Sequence, residues 1–272
     1  MKKYNKVNTL LEWYVSVGVD ETTSTNPRNR LISKKIHEKS SSSEESHSPL
    51  AKDSNKSIAP ETIDKKTIEN NVHTSELTKE VSSLKELNEL IKKFDGCALK
   101  RTATTTVFGT GTKNARLMII GEAPGAEEDR EGQPFVGPAG QLLTKMLSAI
   151  KINRNDVYIT NVLPWRPPGN RSPTDEEINL CRPFVDQQIL LVRPEILILL
   201  GAISAKTILN RREGITRLRG AWHETVYPQE GLSIATLATF HPAYLLRQPS
   251  AKKEAWEDLQ AIQLKLKTLN LK

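Results

Sequence analysis

The sequence predicts an α/β fold, a three-layer sandwich around a central, mainly parallel four-stranded sheet. The chain of 272 residues contains four short apolar runs, and none of them alternates with polar residues. Runs of this kind belong to strands that are buried on both faces. Helical patterns separate the runs, which is typical of a parallel sheet between two helical layers. The predicted strands are RLMIIG at 116–121, VYITNVL at 157–163, PEILILLG at 194–201 and SIATLATF at 233–240.

The segments around these strands have the spacing of amphipathic helices. Residues 81–94, VSSLKELNELIKKF, place apolar side chains at 84, 87, 90, 91 and 94, which makes one apolar stripe along a helix. We expect such a stripe to cover one face of the sheet. The other predicted helices are 138–150, 174–192, 203–210 and 251–267.

The first 80 residues differ in composition from the rest of the chain. Residues 21–80 contain the serine run KSSSSEESHSPLAKDSNKS and few aromatic side chains, which is typical of a disordered linker. Residues 1–20 place four apolar side chains at helical spacing and predict a short amphipathic helix. This helix either docks on the body or binds a protein partner. The body, residues 81–272, is predicted to be one domain.

Composition restricts the compartment and the partner. No run reaches the ~18 apolar residues of a membrane span, and the N-terminus lacks a signal-peptide pattern, so we expect a cytoplasmic protein. The two cysteines fit a reducing compartment. Residues 81–272 carry +6 of the net charge of +7, which suits a polyanionic partner. The densest basic cluster, either a phosphate track or a solvated helix end, is Arg211, Arg212, Arg217 and Arg219.

Glycine- and proline-rich loops follow the predicted strands, at the edge where ligands bind in such sheets. The longest, GEAPGAEEDREGQPFVGPAG at 121–140, matches neither the dinucleotide nor the phosphate-loop pattern, and its carboxylates would repel phosphate. A metal site is the next candidate. Glu127, Glu128 and Asp129 are equally well explained as a solvated helix start. Glu122, directly at the strand end, is the stronger candidate for a functional carboxylate.

Three separate motifs resemble those of the family 4 uracil-DNA glycosylases. They are GEAPGAEEDREGQPFVGPAGQLL, then YITNVLPWRPPGNRSPTDEEI followed by CRPF, and finally HPAYLLR. The resemblance covers about residues 84–266. It implies a uracil-DNA glycosylase-like sandwich and a DNA repair enzyme of base excision repair. Such an enzyme flips uracil out of DNA and hydrolyses its N-glycosidic bond, which leaves an abasic site.

The resemblance assigns the chemistry of the pocket to single residues. Phe135 corresponds to the residue that stacks on uracil, and Asn161 to the amide that reads the pyrimidine edge. A core aromatic and a turn-capping Asn are the structural alternatives. His241 corresponds to the histidine at the uracil carbonyl beside the scissile bond, where one donor is worth roughly 3 kcal/mol. Glu122 corresponds to the acidic residue that orients water and favours the cationic sugar.

Further positions are implied around the pocket. Glycines let the backbone approach the flipped nucleotide, and two more polar residues belong to the same motifs. Leu245 and Leu246 are candidates for a wedge that fills the gap in the DNA, with buried packing as the alternative for one of them. Arg247 is a candidate for a phosphate contact. The glycines are Gly121 and Gly125, and the polar residues are Glu128 and Asn170.

One departure from the family pattern concerns the cofactor. Members of the family usually hold a four-iron four-sulfur cluster with four cysteines. The corresponding positions here are Phe94, Cys97, Trp165 and Cys181, so two thiolate ligands are missing. We therefore expect no cluster and no other cofactor, with Cys97 and Cys181 as reduced remnants of the site. An unusual metal at the two cysteines stays open as an alternative.

Two functions of different class follow from the resemblance. The first is a monofunctional glycosylase, because no lysine stands at the matched pocket positions to form a Schiff base. The second is a non-catalytic DNA-binding subunit of a replication or repair complex that keeps the fold. The intact pocket positions favour the enzyme. The expected partner is uracil-containing DNA and not a membrane, with a protein partner at the N-terminal segment as a further option, and we expect a monomer at the nucleoid.

Overall fold

The computed structural model describes residues 74–269, and six strands of this range form one mixed sheet. The strands are β1 Gly109–Gly111, β2 Leu117–Gly121, β3 Tyr158–Asn161, β4 Ile196–Leu200, β5 Trp222–Tyr227 and β6 Leu232–Thr239. Their order across the sheet is β1-β3-β2-β4-β6-β5. The four inner strands run parallel, whereas β1 and β5 pair antiparallel at the two edges.

Helices cover both faces of the sheet. Their bounds are α1 Leu84–Lys93, α2 Ala98–Thr102, α3 Ala126–Glu131, α4 Pro138–Ala149, α5 Asp175–Val192, α6 Ala202–Leu209, α7 Ile215–Leu218, α8 Pro242–Arg247 and α9 Lys252–Leu269. Buried side chains of α4 and α9 form a core with one face of the sheet. Those of α1, α5 and α6 form a second core with the other face. The molecule is therefore a three-layer sandwich.

Strand β2 shows why the inner strands lack alternation in sequence. All five of its residues are buried. Leu117 and Ile119 belong to the core under α4 and α9, whereas Met118 and Ile120 belong to the core under α1 and α5. Because successive side chains of a strand point to opposite faces, a strand between two helical layers needs apolar residues at every position.

The register brings the carboxyl ends of the inner strands to one level. Gly121, the last residue of β2, is paired with Asn161, the last residue of β3. Leu200 at the end of β4 is paired with Thr239 at the end of β6. The loops that follow these four strands therefore leave the sheet along one edge, which is where the polar side chains of the predicted site begin.

The α/β sandwich with four parallel strands is confirmed, and the sheet has two more strands than predicted. Strand β1 is three residues of glycine and threonine, so it offers no apolar run. Strand β5 is an edge strand with a mixed exposed and buried pattern. The predictions for residues 1–20 and for most of 21–80 lie outside the described residues. Residues 74–79, within the predicted linker, are helical, with Thr74 and Thr78 buried.

Candidate active site

A cavity of about 440 Å³ lies at the carboxyl edge of the sheet. It is bounded by the loops after β2 and β3, by the start of α4 and by α8. The structure brings together here most of the polar and aromatic residues that the sequence nominates. The cavity-lining residues among them are Glu122, Gly125, Glu128, Phe135, Asn161, Asn170, His241 and Arg247.

Glu128 fastens the long loop that follows β2. Its Oε2 accepts a hydrogen bond from the backbone N–H of Gly125 at 3.1 Å. Its Oε1 accepts from the N–H groups of Val136 and Gly137 at 3.0 and 2.9 Å. A Cβ at Gly125 would lie 2.7 Å from the Glu128 carboxylate, so a larger residue there would displace this carboxylate. Glu128 therefore ties both ends of the loop to one carboxylate.

Phe135 forms one wall of the cavity and is 5% exposed. Its backbone adopts φ 55°, a left-handed conformation that is uncommon for a large side chain. Its ring lies 5.6 Å from the His241 ring, between centroids, at an angle of 31°. A Cβ at Gly121 would lie 2.6 Å from Cζ of Phe135 and would also meet the Asn161 amide oxygen. Gly121 thus leaves the room in which the aromatic ring and the amide come together.

Asn161 ends β3 and carries the amide of the site. Its side chain is 4% exposed, and its Oδ1 is buried without a hydrogen-bond partner among the described residues. A buried amide oxygen without a partner costs about 1–3 kcal/mol, so a ligand that donates a hydrogen bond here removes a penalty. An amide also offers a donor beside its acceptor, which is the pattern of a pyrimidine edge.

His241 caps the N-terminus of α8, and this contact fixes which ring nitrogen carries the proton. The backbone N–H of Ala243 donates to Nδ1 at 3.2 Å. In the neutral ring Nδ1 is then the acceptor, and Nε2 holds the hydrogen. Burial first, and then the nearby Arg247, lower the pKa of His241 from 6.5 to about 4, although Glu128 opposes them. At neutral pH the ring is therefore an uncharged donor through Nε2.

Glu122 follows β2 directly and lines the same cavity. Burial raises the pKa of its carboxyl above the ordinary value. A carboxylate with a raised pKa is a better proton acceptor, which suits a group that activates water. The side chain of Glu122 is partly buried, in contrast to that of Asn161.

The other acidic residues of the loop have structural roles. Asp129 is 3% exposed, and its Oδ1 accepts from the backbone N–H groups of Thr104 and Thr105 at 2.9 and 3.1 Å. Glu127 forms an ion pair with Arg130 at the surface.

Asn170 lines the cavity, and its Oδ1 accepts from Nε of Arg166 at 2.7 Å.

The two leucines of the HPAYLLR motif occupy different environments. Leu245 is 0% exposed and belongs to the core beneath α4 and α9, so its nomination as a DNA wedge is corrected. Its position in α8 turns it inward toward the sheet layer. Leu246 is 45% exposed. Sequence reasoning also missed Tyr244, Arg171 and other residues that complete the cavity wall, although their motifs contain them.

The basic cluster nominated from sequence is divided by the structure. The guanidinium of Arg219 is 13% exposed and donates to Asp258 at 2.7 and 3.1 Å. It also lies 5.1 Å from the centroid of the Phe240 ring. Arg211 lies 3.7 Å from Glu213 in a surface pair. Arg219 is therefore part of the framework and is corrected as a phosphate contact.

Comparison with known proteins agrees with this geometry. The family profile described as the uracil DNA glycosylase superfamily matches residues 108–260. The chain is 43% identical to a type-4 uracil-DNA glycosylase of Pyrobaculum aerophilum, over 65% of this chain and 91% of that protein. This chain belongs to the type-4 uracil-DNA glycosylase family. Type-4 enzymes of Archaeoglobus fulgidus, 39% identical over 67% of this chain and 92% of theirs, and of Thermotoga maritima, 40% over 60% and 83%, are similar relatives.

Family membership corrects the cofactor prediction. The prediction that the protein holds no cofactor is contradicted, because the matched relatives are type-4 uracil-DNA glycosylases, the family in which an iron–sulfur cluster is usual.

The side chains at the corresponding positions do not match a four-cysteine site. Cys97 and Cys181 are buried thiols, and the rings of Phe94 and Trp165 are stacked with centroids 6.3 Å apart. Within residues 74–269 no group of three or more His, Cys, Asp or Glu side chains is placed to hold a metal. Two thiols among aromatic rings do not supply the four thiolates that such a cluster takes.

Within residues 74–269, every helix is too short or too polar to span a bilayer.

Proposed function

We propose that this protein is a DNA repair enzyme that removes uracil from DNA by hydrolysis of the N-glycosidic bond and leaves an abasic site. The observation that carries the proposal is the cavity in which Phe135, Asn161 and His241 meet, with the Asn161 Oδ1 buried and without a hydrogen-bond partner in residues 74–269. A flipped base brings the missing partners to this cavity. The identity of about 40% to type-4 uracil-DNA glycosylases over most of their length supports the same activity.

Recognition of the base is assigned to Phe135 and Asn161. The face of the Phe135 ring stacks on the flipped uracil, a contact worth about 1–3 kcal/mol per base. The Asn161 amide accepts from the uracil N–H through Oδ1 and donates to the adjacent carbonyl. Gly121 and Gly125 keep this floor free of side chains, as their close neighbours require.

Departure of the base is assigned to His241. As the glycosidic bond lengthens, negative charge develops on the uracil, and a fixed donor at its carbonyl stabilises that charge. The Nδ1 contact to Ala243 leaves the proton on Nε2, and the lowered pKa keeps the ring neutral. A neutral donor stabilises the anion without transferring a proton to it. The ring needs no reorganisation during the reaction, because its other nitrogen is already bound.

Attack by water is assigned to Glu122. Its carboxylate orients the water and accepts the proton as the water adds to the sugar, and its charge favours the cationic sugar before that. The raised pKa supports its role as the proton acceptor. Within the described chain no lysine lines the cavity, which supports hydrolysis without a Schiff-base intermediate. Glu128 and Asn170 support this machinery from its rim.

Contacts with DNA are assigned to the exposed part of α8. Leu246 enters the gap that the flipped nucleotide leaves, and Arg247, which is exposed at the rim of the cavity, holds a phosphate.

The assembly and location follow from the substrate and the surface. Few large apolar side chains are exposed in the described part of the chain, which supports a monomer. DNA as substrate supports a place in the cytoplasm at the nucleoid. The apolar side chains of residues 1–20, at helical spacing in the sequence, support a role of that segment in binding a protein partner.

A labelled oligonucleotide with one uracil tests the activity. Treatment with the purified protein and then alkali should cut the strand at the uracil, and the matched thymine oligonucleotide should stay intact. The Asn161→Ala variant should bind the same DNA and cut it far more slowly. Retained DNA binding without cleavage by the wild-type protein would contradict the enzyme and favour a DNA-binding subunit.

A further inference from the structure

Arg154 holds the loop of Phe135 by two separate contacts. Its Nη2 donates to the carbonyl of Pro134, the residue before Phe135, at 2.9 Å. Its Nη1 donates to the hydroxyl of Thr144 at 3.2 Å. That hydroxyl donates in turn to the carbonyl of Gly140 at 3.1 Å. One guanidinium contact therefore reaches the backbone beside Phe135 directly. The other reaches, through the Thr144 hydroxyl, the backbone of Gly140, which packs against Phe135.

Phe135 needs such support because its conformation is strained. A left-handed φ of 55° costs a bulky residue about 1–3 kcal/mol and persists only where the surroundings fix it. Gly140 packs against this turn so closely that a Cβ there would lie 2.7 Å from the Phe135 Cα. Glu128 holds the N–H groups that follow Phe135, and Arg154 holds the carbonyl that precedes it. The strained residue is thus fixed from both sides by opposite charges.

Partial burial of the charged Arg154 side chain costs free energy. It is partly buried, and burial lowers the pKa of its guanidinium while the charge of Glu128 opposes this change. A partly buried cation is stable only where its donors are satisfied. Arg154 also starts the short helix Arg154–Asp156, which leads into β3. Strand β3 in turn ends at Asn161. One side chain therefore joins the segment of the amide to the loop of the aromatic ring.

We propose that Arg154 is a positioning residue that fixes the Phe135 ring at the stacking distance from the flipped uracil, with Glu128 as its counterpart on the other side of the turn. The inference rests on the proposed function and adds a residue that does not line the cavity. Loss of Arg154 lets the turn relax toward an ordinary conformation. The ring then moves out of the plane that the base requires, and uracil binding weakens while DNA binding outside the pocket is kept.

Four single variants, and the double variant that combines Phe135→Ala with Arg154→Met, test the inference in the full-length protein. Arg154→Met keeps an unbranched stem and removes the charge and both hydrogen bonds, and Arg154→Lys keeps the charge with its donors on a single nitrogen atom. Arg182→Met is the matched control, since Arg182 is a partly buried arginine of α5 that pairs with Asp186 at 3.2 Å. Phe135→Ala removes the ring itself. The measurements are kcat and KM on uracil DNA, the calorimetric affinity for free uracil, and the thermal midpoint.

The expected result is a loss that depends on the ring. Phe135→Ala should lose about 10- to 100-fold in kcat/KM and in uracil affinity. Arg154→Met should lose about tenfold in both, and Arg154→Lys about threefold, while affinity for uracil-free DNA stays unchanged. In the Phe135→Ala background, Arg154→Met should have no further effect, because the group through which it acts is already absent. Arg182→Met should keep wild-type activity.

Other outcomes overturn the proposal. Wild-type kinetics and uracil affinity in Arg154→Met do so, as does an equal loss in the presence and absence of the Phe135 ring. If Arg154→Met does not fold, Arg154→Lys and Thr144→Val carry the same test, and wild-type uracil affinity in both overturns the inference. A wild-type protein that binds uracil without cleaving DNA defeats the proposed function alone, since uracil affinity still tests Arg154. A wild-type protein that does neither defeats both.

Discussion

Two buried polar groups near the ends of the parallel strands contrast in their partners. Asp258, on α9, is 1% exposed, and its carboxylate accepts hydrogen bonds from Arg219 and from the hydroxyl of Thr239 at 2.6 to 3.1 Å. Asn161, at the end of β3, is 4% exposed, and its Oδ1 has no partner among the described residues. Both groups are buried in the same domain, but only the Asp258 carboxylate has hydrogen-bond partners for its oxygens within the described residues.

This difference separates structural groups from functional ones. A satisfied buried charge stabilises the arrangement of its partners and is costly to break. An unsatisfied buried amide costs stability in the free protein, and the cost is recovered when a ligand arrives. Asp258 is thus expected to hold β6 and α9 together, whereas Asn161 is expected to hold a substrate. Substitution of Asp258 should therefore mainly lower the free energy of unfolding, and substitution of Asn161 should mainly lower activity.

The largest effect is expected for removal of the satisfied carboxylate. Asp258→Ala leaves the Arg219 side chain, 13% exposed, without its main partner, and should lower the free energy of unfolding by about 3–5 kcal/mol. Asn161→Ala loses no side-chain hydrogen bond to the described part of the chain, so its free energy of unfolding should change by less than about 1 kcal/mol. Urea denaturation measures both. Equal destabilisation by the two variants would remove the basis of the comparison.

The next effect concerns His223 and His241, which differ in the partner of the ring nitrogen Nε2. Nε2 of His223 lies 3.0 Å from the carbonyl oxygen of Leu218, whereas the proposed function assigns Nε2 of His241 to the substrate. His241→Ala should lower kcat by roughly 10²- to 10³-fold, as loss of one transition-state donor does. His223→Ala should leave kcat near the wild-type value. Single-turnover cleavage of uracil DNA is the measurement, and a similar kcat for the two variants would refute the assignment.

The comparison also shows how far the sequence could lead. The four inner strands could be predicted because each is apolar at every position, and the loops at their carboxyl ends because glycine and proline interrupt the pattern there. Edge strands β1 and β5 could not, because a strand with one partner and one exposed side needs no apolar run. Among the cavity residues, Glu122 could be nominated from its position at a strand end, whereas the roles of Asn161 and His241 came from the motifs.

What the sequence could not give depends on long-range contacts. Glu128 and Asp129 are adjacent in the chain, yet their partners lie in the loop after α3 and in residues 104–105, respectively, whereas Glu127 has only a local partner, Arg130. Leu245 and Leu246 likewise differ only in the direction each takes from α8. Such distinctions arise only when the chain folds. Contacts between residues that are far apart in sequence decide which carboxylate is hydrogen-bonded inside the protein and which leucine is buried.

A smaller effect follows from the pKa of His241. Its value of about 4 in the folded protein lies below the 6.5 of the exposed ring, so between these values the unfolded chain binds more protons. Stability is therefore fully present above about pH 6.5 and is lost as the pH falls toward 4. Between pH 7 and pH 5 the wild-type protein should lose about 1–2 kcal/mol more than His241→Asn. Denaturation curves at the two pH values test this, and parallel losses would contradict a neutral buried ring.

The smallest effect is expected at the surface, where Leu246 is 45% exposed and Leu264 on α9 is 68% exposed. Leu246→Ala should reduce kcat/KM on duplex uracil DNA by about fivefold, because an apolar wedge offsets part of the cost of unstacking a base. On single-stranded uracil DNA, which has no opposing stack to open, the same variant should be close to wild type. Leu264→Ala should match wild type on both substrates. If Leu246→Ala lost kcat/KM equally on duplex and on single-stranded uracil DNA, Leu246 would act on the pocket and not as a wedge in the duplex.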